Sequence, residues 1–193
     1  MQIRLNKECF GVDIMKGFER TNQFFSLCGL NCRLCSMFLG KHCGGCGKGN
    51  QSCPIAKCSL QNGKIEYCYE CTHYPCEKYN HIDEVDSFIT HQHQKRDIRK
   101  AQEIGVEEYT IEQIEKGNIL DKLLSAYNDG RKKNFYCLAV NLLELSELQE
   151  ILKKVETDIT LSNLSEKDKI SYIVKSFQDI AEKREIVLKL RKK

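Results

Sequence analysis

Apolar positions divide the chain into two unlike parts. Beyond Asp83 they recur at intervals of three and four residues, the spacing that collects them on one face of a helix. The run from Val85 to Ile104 predicts a first helix, closed by Gly105, a residue suited to the turn after a helix end. Thr110-Ile-Glu-Gln113 has the form of a capping box. A second helix is expected to open there, carrying Ile111 and Ile114, then Leu120, Leu123, Leu124 and Tyr127, until the Asp129-Gly130 turn. Phe135, Leu138, Ala139, Leu142 and Leu143 predict one buried face of a third helix. Ser146-Glu-Leu-Gln149 is another capping box, ahead of Leu148, Ile151, Leu152 and Val155. Ser165-Glu-Lys-Asp168 opens the last helix, with Ile173, Phe177, Ile180, Val187 and Leu190. Its final residues, Arg191-Lys192-Lys193, would complement the negative end of the helix dipole. No stretch alternates apolar and polar residues as a half-buried strand does, and no internal repeat occurs. Residues 84–193 are therefore expected to form an all-helical domain.

Upstream the periodicity disappears. Residues 1–27 carry Phe10, Phe18, Phe24 and Phe25 without a regular spacing and read as an N-terminal arm against the next segment. Arg4, Lys7, Glu8, Asp13, Lys16 and Glu19 break any apolar run that a signal peptide or anchor would need. Residues 28–83 are rich in glycine and cysteine. Leu30, Leu34, Phe38, Ile55, Leu60, Ile65 and Tyr74 are too few to fold such a segment unaided. Metal–ligand bonds would have to supply the missing stability, as in other small metallo-domains.

Ten of the twelve cysteines lie in this segment: Cys28, Cys32, Cys35, Cys43, Cys46, Cys53, Cys58, Cys68, Cys71 and Cys76. Cys32-Arg-Leu-Cys35, Cys43-Gly-Gly-Cys46 and Cys68-Tyr-Glu-Cys71 share a two-residue gap, which lets a tight turn aim two thiolates at one ion. Gly44, Gly45, Gly47 and Gly49 surround one pair, where glycine permits positive φ and close approach of backbone to sulfur. Pro54 and Pro75 stand beside cysteines and stiffen the turns there. All ten are candidate metal ligands. No stretch approaches the roughly 18 apolar residues of a membrane span. The expected location is the cytoplasm, where thiols stay reduced and cysteine pairs mean metal or redox chemistry rather than disulfides. By spacing, Cys43, Cys46, Cys53 and Cys58 would share one ion, and Cys32 and Cys35 would join Cys68 and Cys71 at a second. Cys28 and Cys76 would then exchange into these sites, bridge two metals, or join His42 or His73. Zinc, two or more ions, is the expected cofactor. The alternative is an iron–sulfur cluster, since Cys28-x3-Cys32-x2-Cys35 has the spacing of radical S-adenosylmethionine enzymes. Those enzymes need a large α/β barrel for which this chain has neither the length nor the strands, and ferredoxin-type cysteine runs are absent.

The formal charge of +3 invites a nucleic-acid reading. A zinc held by four thiolates carries −2, so two filled sites turn +3 into −1. Nucleic acid is therefore an unlikely partner, no membrane is expected, and a protein partner fits better. Elsewhere the signals are weak. His91 and His93 would point about 200° apart on a helix and read as exposed. His81 reads as a surface residue, Cys137 as a small core residue, Cys9 as a bystander, and Arg131-Lys132-Lys133 as a solvated helix start. Nucleotide-binding and hydrolase fingerprints are absent.

Cys28-Gly-Leu-Asn-Cys32-Arg-Leu-Cys35, His42-Cys43-Gly-Gly-Cys46, Cys53-Pro-Ile-Ala-Lys-Cys58, Tyr67-Cys68-Tyr-Glu-Cys71 and Tyr74-Pro75-Cys76-Glu77 together resemble a cysteine-rich prokaryotic domain of unknown function, held to bind zinc. The resemblance spans about Cys28 to Tyr79, and the stretch Tyr127 to Leu143 is similar to the helical extension of some members. It implies metal at the matching cysteines and no activity. The whole chain is expected to be mostly α, with a small irregular metal-stapled module followed by an all-helical domain. Four-thiolate sites leave no open coordination position, which favours a binding or scaffolding unit over an enzyme. Iron–sulfur or thiol redox chemistry is the rival reading.

Overall fold

A computed structural model describes residues 15–192. Among them are eight α-helices and no strand, only an isolated antiparallel bridge between Phe25 and Asn31. Two short helices lie among the cysteines, α1 (Ser36–Leu39) and α2 (Pro54–Gln61). The others are α3 (Gln94–Ile104), α4 (Val106–Ala126), α5 (Lys133–Leu142), α6 (Leu145–Thr157), α7 (Ile159–Ser162) and α8 (Glu166–Lys183). The mostly helical class expected from the periodicity is the one observed. No helix among the described residues is long and apolar enough to cross a membrane.

The helix ends differ from several expectations, each for a local reason. The helix expected from Val85 begins only at Gln94. Upstream, the Asp86 carboxylate accepts from the backbone N–H of His91 and from Arg191, which ties residues 86–91 into a turn. Thr110 does not cap a helix, because α4 already starts at Val106, directly after Gly105 with its φ of 90°. The capping box before α6 is built by Glu144 and Glu147, two residues earlier than expected. Ser165 does cap α8, its hydroxyl accepting from the Asp168 N–H. That helix stops at Lys183. Instead of ending a helix, Arg191 reaches Asp86 with a 2.9 Å ion pair.

Two apolar cores result. The helical core collects Leu120 and Leu123 of α4, Tyr136, Ala139 and Val140 of α5, Leu148 and Leu152 of α6, and Ile173 and Phe177 of α8. Helix α5 lies at its centre, with every residue from Tyr136 to Leu142 buried. The second core joins Met15, Phe18, Phe25 and Leu27 to Tyr67, Cys68 and Tyr79, and also to Ile98, Ala101 and Tyr109 of α3 and α4. Described residues of the expected arm, 15–27, are thus part of the cysteine-rich core. The cores also interlock across the 83/84 boundary drawn from composition, since Leu34 belongs to the helical one. Arg33 strengthens the junction. It lies against Gly117 on α4, where even a methyl group would come within 3.1 Å of its Nε, and pairs with Asp121.

Candidate metal centre

Two of the three cysteine pairs have the same backbone. Cys32–Leu34 forms a single 3-10 turn, followed by Cys35 in extended conformation at φ −85°, ψ 134°. Cys68–Glu70 forms the same turn, followed by Cys71 at φ −77°, ψ 135°. In each, the second cysteine donates its N–H to the carbonyl of the first over 3.1 Å. This is the knuckle that a two-residue gap permits, and the backbone amides of Phe38 and Met37 near the Cys35 sulfur favour its ionised form. The third pair, Cys43 and Cys46, depends on its glycines. Gly45 has a φ of 91°, and a methyl group on Gly49 would stand 2.3 Å from Cys43 Sγ.

The fold groups the thiols differently from their spacing. Pro54 begins α2 at the position where a missing N–H costs nothing, and Cys53 becomes its N-cap. Cys53 has non-helical backbone angles, φ −58° and ψ 114°, whereas Cys58 lies in the second turn of the helix, so the two side chains take different directions. Cys58 therefore faces Cys68, Cys71 and Cys76 across a cavity of about 30 Å³. Cys53 lies on the other side, near Cys28 and Cys46. Cys32 has Cys46, Cys28, Cys35 and Cys43 as neighbours. Of the two histidines that were candidates to complete a site, His73 places Nδ1 3.8 Å from Cys71 Sγ, and His42 packs against Gly40. Among the described residues, no three His, Cys, Asp or Glu side chains are grouped closely enough to hold a metal ion as they stand.

Burial dominates the electrostatics of the thiols. It pushes Cys28 up to about 12 and Cys68 up to about 11, and raises Cys32, Cys35 and Cys46. Neighbouring cysteines add to the rise at Cys28 and Cys32, so bare thiolates are disfavoured there without a cation. Such a cation is already present in Arg20, whose side chain is 1% exposed. Its guanidinium donates to the Phe25 carbonyl at 3.0 Å, stacks 4.7 Å over the Tyr67 ring, and favours ionisation of Cys46 and Cys68. Its Nη1 forms an ion pair with the Glu66 carboxylate at 3.5 Å, and its Nε has no hydrogen-bond partner. Sequence reasoning missed Arg20; the only signal was an arginine in an aromatic stretch before Cys28.

A second feature without a motif joins the module to the helices. Asn31, between two cysteine turns, donates to Asp97 Oδ2 at 2.9 Å and to Asn141 Oδ1 at 3.4 Å, and accepts from the Tyr109 hydroxyl at 3.1 Å. Gln94 donates to the Cys28 carbonyl at 3.1 Å, and Lys116, 2% exposed, donates to the Leu143 carbonyl at 2.7 Å. Burial raises Asp97 to about 6 and lowers Lys116. The expectation of two exposed helical histidines is overturned. His91 and His93 precede α3, and each is partly buried. His91 bonds Ser87 and the Ile82 carbonyl, and His93 occupies the N-cap position. His81 is a surface residue paired with Glu84 and Cys137 is buried in the helical core, both as expected, whereas of the Arg131-Lys132-Lys133 triplet only Arg131 is exposed and Lys132 and Lys133, at the start of α5, are part-buried. Cys9 and Phe10 lie outside the described residues.

No family model matches the chain, and neither a curated protein nor a solved structure matches it. The resemblance to the cysteine-rich prokaryotic domain therefore rests on the motifs alone.

Proposed function

We propose that this chain is a metal-binding protein whose cysteine-rich segment holds zinc at two or more thiolate sites. In this reading the ions are structural, and the protein acts as a binding or scaffolding unit. One observation carries it: the Cys32–Cys35 and Cys68–Cys71 knuckles share one backbone geometry, in a segment with ten thiols and a small apolar core. Thiol-only donor sets suit a soft or borderline ion, and closed four-thiolate coordination leaves no position for a substrate. A protein partner suits a module whose filled sites cancel its basic charge.

One observation favours the rival reading of iron–sulfur or thiol redox chemistry. Cys28, Cys32, Cys35, Cys43, Cys46 and Cys53 form a chain of neighbours, more sulfurs than a single four-thiolate ion uses, and Cys28 also neighbours Cys68. Anaerobic purification with elemental analysis and a visible spectrum separates the two. The zinc reading expects a colourless protein with about two zinc ions per chain. A brown protein containing iron would transfer the assignment to the rival, and a protein without stoichiometric metal would overturn both.

A further inference from the structure

We propose that Cys58, Cys68, Cys71 and Cys76 form one self-contained zinc site, separate from the other six thiols of the module. The proposal rests on the metal-binding reading above and deepens it by naming a ligand set that spacing alone does not suggest.

Four observations carry it. First, the four residues come from three different segments: Cys58 from α2, Cys68 and Cys71 from one knuckle, and Cys76 from the turn before Glu77–Tyr79. All four line the same cavity of about 30 Å³. Second, the rest of that wall is largely apolar, including Leu27, Ile55 and Ile65. Its one hydroxyl of a serine, on Ser59, is already committed to the Ile65 carbonyl at 2.7 Å. A soft cation placed there would find four sulfurs. Third, Tyr79 also lines the cavity, beside the Cys68 thiol. It is 3% exposed, and its hydroxyl lies against the Cys68 sulfur. A metal-bound thiolate at Cys68 would be a stronger acceptor for this hydroxyl than the neutral thiol. Fourth, Asn62 aims its side-chain amide at Cys58 Sγ from 3.5 Å, the kind of outer-shell donor that orients a ligating thiolate. Drawing the four sulfurs inward onto one ion would close the cavity and leave no open position, as expected of a structural site.

The test is stepwise removal of zinc from the full wild-type chain with a chelator, with alkylation of each freed thiol and peptide mapping. Cys58, Cys68, Cys71 and Cys76 should become reactive together, as a block distinct from Cys43, Cys46 and Cys53. Appearance of Cys58 in the block of Cys43, Cys46 and Cys53 would overturn the grouping while leaving metal binding intact. Metal content of variants gives an independent measure. Cys58→Ser, Cys76→Ser and their double variant should each lose the same one equivalent, whereas Cys58→Ser with Cys46→Ser should lose two. A loss of two equivalents from the Cys58→Ser/Cys76→Ser pair would overturn the proposal. Wild-type protein that binds no zinc at all would overturn the metal reading and this grouping together.

Discussion

Asn31 and Asp97 are 66 residues apart in sequence and are joined by a 2.9 Å hydrogen bond, through which the cysteine-rich segment is held to the helix that follows it. Both side chains are buried, and the Asn31 amide also receives the Tyr109 hydroxyl, so one residue of the cysteine-rich segment engages α3 and α4. Asn31→Ala should therefore leave Asp97 and the Tyr109 hydroxyl short of partners in a buried site. A destabilisation of about 3 kcal/mol is expected, since stranding buried polar groups costs more than the lost bonds are worth. Chemical denaturation of the two proteins, compared at their midpoints, measures it.

Chelation should affect the two cores unequally. Phe25, Tyr67, Tyr79 and Tyr109 pack with Cys28 and Cys68, whereas the helical core draws mainly on α4, α5, α6 and α8. Stripping the metal is expected to erase most of the near-ultraviolet tyrosine dichroism while most of the far-ultraviolet helical signal persists. Parallel collapse of both signals would show that the helical core does not stand without the ions.

Arg20 faces Cys46 and Cys68 from inside the core and favours their ionised forms. Arg20→Met keeps much of the side-chain volume and removes the charge. Metal affinity should fall about tenfold, the size of effect typical of an altered outer shell. Competition with a calibrated zinc chelator reads this directly, and an unchanged affinity would assign Arg20 a packing role only.

His93 gives the stability a pH dependence. Burial, followed by the charges of Arg96 and Lys116, lowers it to about 4, against an ordinary value of 6.5. The folded state thus prefers the neutral ring. Its contribution is fully present above about pH 6.5 and is lost as the pH falls toward 4. Asp97, raised by burial to about 6, acts in the opposite direction: its ionisation costs stability as the pH rises from 3.8 to 6. His93→Gln should therefore lose less stability than wild type between pH 7 and pH 5. Unfolding midpoints of both proteins across that range supply the comparison. Coincident curves would show that His93 does not contribute.

Much of the molecule was legible in its residues taken in order. Helical spacing identified α5, α6 and α8 because 3.6-residue periodicity is a local property that burial of one face merely uses. Ser165 marked a helix start because a cap depends on its immediate neighbours. The knuckles at Cys32–Cys35 and Cys68–Cys71 were legible for the same reason, since a two-residue gap prescribes its own turn. Helix α4 was harder. Ile111 and Ile114 looked like its core face but are 54% and 36% exposed. Its buried face instead carries Tyr109, Gln113 and Lys116, whose polar ends find partners or surroundings supplied by distant segments. The terminal Arg191 likewise looked like a helix-end cation until the tail returned to Asp86.

By itself, the sequence determined that the chain would be mostly helical and that ten cysteines would crowd into one segment. Only the tertiary structure decided which thiols stand together. Cys53 caps α2 from outside in a non-helical conformation and Cys58 lies within it, so two residues that spacing assigns to one ion face different surroundings. Spacing measures distance along the chain, whereas ligation depends on direction in space, and direction was set by a helix and by the segments packed around it.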